Sequence, residues 1–134
     1  VCNYTNDIYR LRCLIRKSGR FRIISEKDYI QNPKPNGYRS LHLVVGVPVT
    51  TCEGTIELPV EIQLRSIAMD LWASLEHELR YKSDRVFLPE DGQRLKQCAD
   101  TLSAVDSEMQ DMFLHGSAVP SGKECEEAPC CSSM

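Results

Sequence analysis

Two apolar-rich segments separated by one short turn constrain this chain more than any other feature. Residues 40–49 are mostly apolar (Leu41, Leu43, Val44, Val45, Val47) with polar Ser40 and His42, and residues 55–64 follow after a turn over 50–54. Neighbouring strands joined by about five residues form an antiparallel hairpin most simply. Pro59 removes a ladder donor, which puts its side of the second strand at an edge or a bulge. Ser66 then stands where a helix N-cap belongs. The apolar positions Ala68, Leu71, Trp72, Leu75 and Leu79 predict a helix from there through about Lys82.

The rest of the chain is arranged around that unit. Asn6 or Thr5 can cap a first helix running to about Lys17, with Ile8, Leu11 and Ile15 on one stripe and Ser18-Gly19 as its stop. A short strand region with Phe21 and Ile23 comes next. The two prolines and the Asn-Gly pair in residues 31–37 then make a loop. After a break at residues 89–92, a last helix is expected from about Gln93 to Leu114. Its heptad-like stripe is Leu95, Cys98, Leu102, Val105, Met109 and Met112. Residues 117–134 have almost no large apolar side chain and predict a disordered tail. Strands beside helices at this length, 134 residues, predict one α/β (α+β) domain, a mixed sheet packed against helices.

Composition excludes several functions. No apolar run approaches the ~20 residues a membrane span needs. The seven cysteines are odd in number and at no metal-ligand spacing, and no secretory signal opens the chain. Free thiols in a reducing cytoplasm are therefore expected. The net charge is −3, yet residues 10–39 carry nine Lys and Arg against Glu26 and Asp28, while residues 84–134 carry four bases against ten acids. A basic segment in an acidic protein points to an anionic ligand of limited size rather than a long nucleic acid. The competing account is that Arg10, Arg12, Arg16 and Lys17 coat the wet face of a helix.

The densest polar cluster is residues 34–42. Gly37 permits a ligand to approach the backbone, Tyr38 offers a flat ring for stacking, and Ser40 and His42 project to the same strand face as Tyr38. Lys27, Lys34 and Arg39 add positive charge, and the combination suits a nucleotide. On the following strand Glu61, Gln63 and Arg65 share a face opposite Ile62 and Leu64; if the strands pair, Glu61 and Gln63 join Tyr38 and His42. A carboxylate there can bind Mg²⁺ or take a proton from an attacking hydroxyl. An ordinary polar outer face is the competing account of the same residues. On the helix, Glu76-His77 lacks the second His that a zinc motif requires, and Trp72 belongs to the core stripe.

Lys27-Asp28-Tyr29-Ile30 with Asn32-Pro33-Lys34-Pro35-Asn36-Gly37-Tyr38-Arg39-Ser40-Leu41-His42 resembles the guanine-nucleotide loop and strand of RelA/SpoT-type alarmone synthetases. Val60-Glu61-Ile62-Gln63-Leu64-Arg65-Ser66 and the helix to Lys82 resemble the strand and helix that follow in that family, in the same order and at the same separation. The likeness spans roughly residues 6–86 and is closest to the small, single-domain synthetases. It implies transfer of the β,γ-pyrophosphate of ATP to the 3′-hydroxyl of GTP or GDP with Mg²⁺, making guanosine tetra- or pentaphosphate. It implies that Tyr38 stacks on guanine, that Asn36, Gln63 and Ala73 sit at the guanine-nucleotide pocket, and that Lys27, Lys34 and His42 face its phosphates. Glu61 matches the family's acidic residue for Mg²⁺ and for activation of the 3′-hydroxyl.

The same resemblance sets expectations for organisation. Residues 1–86 correspond to the C-terminal part of a synthetase domain, residues 87–116 to a helix available for homo-oligomerisation through 95–112, and 117–134 to the tail. No residue matches the family's upstream metal-binding Asp or its basic ATP clamp, so a preceding segment is expected. The alternatives are a catalytically inactive guanine-nucleotide-binding fragment and an interaction module.

Overall fold

The computed structural model describes residues 1–82 and 86–116; the tail expected over 117–134 lies outside the described residues. The elements run α1 (Thr5–Ser18), β1 (Arg22–Asp28), β2 (Leu41–Thr51), β3 (Gly54–Leu64), α2 (Ile67–His77), a π-helical turn (Glu78–Lys82) and α3 (Pro89–His115).

The sheet has the order β1-β2-β3, with both pairs antiparallel. The hairpin turn is tighter than the sequence suggests: β2 runs to Thr51 and β3 starts at Gly54, whose φ of 128° a residue with a Cβ would resist. Pro59 pairs with Gly46 on β3, an edge strand of this sheet, where a missing donor costs least. A parallel element comes from the bridge between Cys2 and Ser66: Cys2 N donates to Arg65 O at 2.8 Å and Ile67 N to Cys2 O at 3.1 Å. The α+β class holds, but the sheet is antiparallel rather than mixed: among the described residues parallel pairing is confined to this isolated bridge outside the three strands.

α1 covers one face of the sheet because the alternation of β2 puts Leu41, Leu43 and Val45 there, all essentially buried with Ile8 of α1. Full burial of such side chains contributes roughly 1.5–3 kcal/mol each. Glu26 lies on that same face and accepts ion pairs from Arg12 at 2.7 Å and Arg16 at 2.6 Å. Two of the bases expected either on a wet helix face or around a ligand thus tie α1 to β1. Gly19 stops α1 in the left-handed conformation, φ 63°, as the Ser18-Gly19 pair foretold.

Ser66 caps α2, its Oγ accepting from Met69 N at 3.2 Å while donating to Asp106 of α3. The buried stripe of α2 differs from the expected one. Met69 and Trp72 are buried, whereas Leu71, Leu75 and Leu79 are nearly half exposed, because α3 flanks the Trp72 side of the helix. α3 begins at Pro89 rather than near Gln93. Proline at a first helical position loses no hydrogen bond, and Asp91 Oδ2 accepts from Leu88 N at 3.1 Å. Its contacts run through Leu95, Ala99 and Leu102, while Met109 and Met112 stay more than half exposed. Among the described residues, no helix is long and apolar enough to cross a membrane.

Candidate functional site

The face of the sheet opposite α1 carries the polar residues. The registers Lys27↔His42↔Gln63 and Ser25↔Val44↔Glu61 place those side chains side by side, as expected if the strands paired. The connection from β1 to β2 closes over one end of this face. Asp28 organises its start, with Oδ1 accepting from Ile30 N and Gln31 N and Oδ2 accepting from the Tyr9 hydroxyl of α1 at 3.0 Å. Burial and that acceptor push the Tyr9 hydroxyl up to about 12, so it is a constant donor. A turn follows at residues 34–37, closed by Gly37 N to Lys34 O at 2.8 Å.

Gly37 serves a different neighbour from the one its sequence context suggested. With φ at 94°, a Cβ there would meet Ala99 Cβ of α3 at 2.7 Å. The close approach that requires glycine here is to a helix. Arg39 is likewise committed to the fold, donating to Gly37 O at 3.1 Å and pairing with Asp100 of α3 at 3.0 Å. Arg22 pairs with Glu57. With Arg12, Arg16, Arg22 and Arg39 spoken for, the basic segment leaves Lys27 and Lys34 to face this surface.

Two cavities flank Tyr38. The first, about 250 Å³, is lined by Ser25, Lys27, Tyr29, Lys34, His42, Val44 and Glu61. It gathers four of the residues expected to act on an anionic ligand. Lys34 Nζ lies 4.7 Å from the Tyr29 ring centre and 5.0 Å from that of Tyr38. The second cavity, about 450 Å³ and more open, is lined by Tyr38, Arg65, Ala73, Ser74, Glu76 and His77. Ala73, Glu76 and His77 share a helix face by their spacing of three and four. Gln63 lines neither cavity; it links them. Asn36 also lines neither, and its Oδ1 accepts from Tyr38 N at 3.1 Å, fixing the loop that presents the ring.

A closed hydrogen-bond circuit joins the two cavities. Arg65 Nη2 donates to the Tyr38 hydroxyl at 2.9 Å and to Gln63 Oε1 at 2.7 Å; Gln63 Nε2 donates to Glu61 Oε2 at 3.2 Å. His42 Nδ1 meets Glu61 Oε1 at 2.8 Å, and His42 Nε2 meets the Tyr38 hydroxyl at 2.9 Å. In this circuit His42 Nδ1 donates to Glu61, and the Tyr38 hydroxyl accepts from Arg65 and shares a hydrogen bond with His42 Nε2. Arg65 is further held by Asp70 at 3.1 Å, and its buried Nε lacks a hydrogen-bond partner among the described residues. The hydrogen bonds from Gln63 and His42 hold the Glu61 carboxyl below the usual carboxylate range, with Lys27 adding to them. Glu61 is thus an anion throughout the neutral range.

Sequence reasoning put Arg65 on the polar face without a role and passed over the cavity-lining roles of Ser25, Ser74, Glu76 and His77. Strand alternation put Arg65 on the right face, but only the tertiary structure shows its guanidinium 5.4 Å from the Tyr38 ring centre. Among the described residues no three His, Cys, Asp or Glu converge as a metal cage. A single exposed carboxylate beside two lysines instead fits an octahedral cation that is held largely by substrate phosphates, as Mg²⁺ usually is.

Residues 1–86 match the region found in RelA and SpoT proteins. The chain is 41% identical over 109 residues to GTP pyrophosphokinase YwaC of Bacillus subtilis, covering 81% of this chain and 52% of that one. It is 35% identical over 112 residues to GTP pyrophosphokinase YjbM of the same organism, covering 84% and 53%. Among solved structures, small alarmone synthetase 1 from Bacillus subtilis bound to its product pppGpp superposes with a TM-score of 0.82 at 34% identity, over 87% of this chain and 60% of that one. Small alarmone synthetase 2 from the same organism gives 0.80 at 39% identity, over 85% and 62%. The chain thus spans about half the length of the curated relatives it matches.

Proposed function

From the premise that this chain belongs to the RelA/SpoT family, we propose that it acts in GTP pyrophosphokinase chemistry, forming the site at which GTP or GDP accepts pyrophosphate from ATP to give (p)ppGpp. The observation that carries this reading is the pair of cavities around Tyr38, one cationic with a single carboxylate and one shaped by a ring and a helix face. The base occupies the larger cavity against Tyr38 and Ala73. Lys27, Lys34 and His42 receive the phosphates, and the 3′-hydroxyl comes near Glu61.

In the reaction the 3′-oxygen bonds to the β-phosphorus of ATP, the bond from that phosphorus to the α,β-bridging oxygen breaks, and AMP leaves. Phosphoryl transfer requires little covalent chemistry from the protein, and positioning with charge neutralisation supplies most of the rate. Bound Mg²⁺ would neutralise phosphate charge, and Glu61 is the residue here that would hold it. The downward shift of its carboxyl favours that role: a carboxylate held as an anion is a ready metal ligand and a weaker base. The hydroxyl proton leaves to Glu61 or solvent once the new P–O bond has formed. Gln63 and Arg65 keep Glu61 and Tyr38 in register.

Tyr38→Ala is expected to weaken GDP by ~1–3 kcal/mol, the range for a lost stacking platform. Tyr38→Phe keeps the ring but severs the bonds to His42 and Arg65, so it should fall between wild type and the Ala variant. Calorimetric titration with GDP measures both. Equal losses in the two variants would mean that the hydroxyl, and not the ring, carries binding. Incubation with γ-labelled ATP and GDP, with products resolved by anion exchange, tests transfer itself.

A further inference from the structure

The loop that presents Tyr38 is closed on itself by Lys34 N donating to Tyr38 O at 3.1 Å, Gly37 N to Lys34 O at 2.8 Å and Tyr38 N to Asn36 Oδ1 at 3.1 Å. These bonds give the loop its shape, and Arg65 and His42 hold the hydroxyl end of Tyr38. The backbone end is held from α3, by two consecutive residues. Ala99 is 5% exposed, and Gly37 lies so near that a Cβ there would come within 2.7 Å of the alanine methyl. Beside it, Asp100 Oδ1 accepts from Arg39 Nη2 at 3.0 Å, while Arg39 Nη1 donates to Gly37 O at 3.1 Å. One guanidinium thus ties the carbonyl of the turn to a helix carboxylate. The seam around these groups, bordered also by Met69, Trp72 and Leu102, leaves a void of about 10 Å³, hardly room for one water.

Asp100 is fixed in turn by Lys96, one helical turn earlier, which donates to its Oδ2 at 3.1 Å. Arg39 first, and then Lys96, hold its carboxyl below the usual carboxylate range. Neither Arg39 nor Asp100 lines either cavity beside Tyr38, so an effect of theirs on a ligand there has to pass through the loop. The Asp100 side chain is 49% exposed, and ion pairs at such sites add little to global stability. Their effect is local. A mobile loop loses freedom when a ligand orders it, and that loss subtracts from affinity. A loop anchored beforehand avoids the loss. We propose that Asp100 of α3 is a positioning residue for the acceptor site, holding Arg39 and the Gly37 turn so that Tyr38 stands in its binding position before a ligand arrives. This rests on the acceptor-site reading above.

Asp100→Ala removes the carboxylate and installs the best helix former, so α3 itself should not suffer. Amide hydrogen exchange tests the anchor without any ligand: the Gly37 and Tyr38 amides should exchange faster in the variant, while those of the β2–β3 hairpin keep their rates. Calorimetric titration then tests the consequence. GDP affinity should fall roughly three- to tenfold, between the loss of an exposed ion pair and that of a hydrogen bond to a charged group. Asp100→Glu should recover most of it. Made in a Tyr38→Ala background, Asp100→Ala should change GDP affinity little, because the ring it positions is gone. A merely structural role would give equal losses in both backgrounds. Unchanged exchange in the loop overturns the proposal, as do undiminished GDP affinity in Asp100→Ala and equal losses in the two backgrounds. Absence of GDP binding by wild type overturns the acceptor-site reading and this proposal together, whereas GDP binding with unchanged loop exchange overturns the proposal alone.

Discussion

Glu61→Gln is expected to lower pyrophosphate transfer by roughly 10²–10⁴-fold, the loss typical of removing a group that acts directly on the reacting atoms. The comparison applies wherever transfer is measured, in this chain or in a longer protein containing it. The amide keeps the size of the side chain and can still accept from His42, so the His42–Tyr38 link should survive although the amide NH2 then faces the Gln63 donor, and GDP affinity should change little. What it loses is the fixed negative charge. That charge is secure in wild type because Gln63 first, and then His42, donate to the carboxylate and hold its ionisation below the ordinary range. On lowering pH, wild-type Glu61 should therefore lose its charge later than an ordinary glutamate would. Labelled-ATP assays alongside GDP titration separate rate from binding. Transfer within about tenfold of wild type would remove Glu61 from the mechanism, because a metal ligand or base costs far more.

The sequence made the sheet legible because its signals are local. Alternation in β2 and β3 fixes which residues share a face, so the grouping of His42, Gln63 and Glu61 followed once the strands paired. The caps at Ser66 and Gly19 were legible for the same reason. The errors arose where tertiary partners decide. Leu71, Leu75 and Leu79 fit a helical period but are half exposed, since α3 packs on the Trp72 side instead. Gly37 stands in a ligand loop, yet the contact that demands glycine comes from Ala99, far along the chain. Charge counts exposed a basic segment but not that Glu26, Glu57 and Asp100 pair with four of its arginines. Glu76 was seen only as half of an incomplete zinc motif. Its place beside Tyr38 depends on how α2 leaves β3, which no local pattern records.

Trp72→Ala should produce the largest stability loss of any single change near the site, roughly 3–5 kcal/mol for removing a buried tryptophan. The indole is 5% exposed and packs with Leu95 and Ala99 of α3, so its loss opens the seam between α2 and α3. Its Nε1–H donates to Leu95 O at 2.7 Å, and the variant strands that acceptor. Domains of this size are stable by only about 5–15 kcal/mol in total, so the change takes a large share. Trp72→Phe should cost much less, because a ring still fills most of the space and chiefly the hydrogen bond, worth ~0.5–1.5 kcal/mol, is lost. The effect should also reach the ligand. Tyr38 packs against this cluster, with its ring centre 6.5 Å from that of Trp72. Removing the indole frees the tyrosine to leave the position in which it meets a base. Urea unfolding of the three proteins measures the first effect. GDP titration of the folded fraction, at low temperature and without denaturant, measures the second. A loss below about 1 kcal/mol in the Ala variant would place Trp72 outside the core, since buried large-to-small changes cost more. Undiminished GDP affinity in folded Trp72→Ala would show that the Asn36 turn and the Arg65 circuit hold Tyr38 without help from the helix seam.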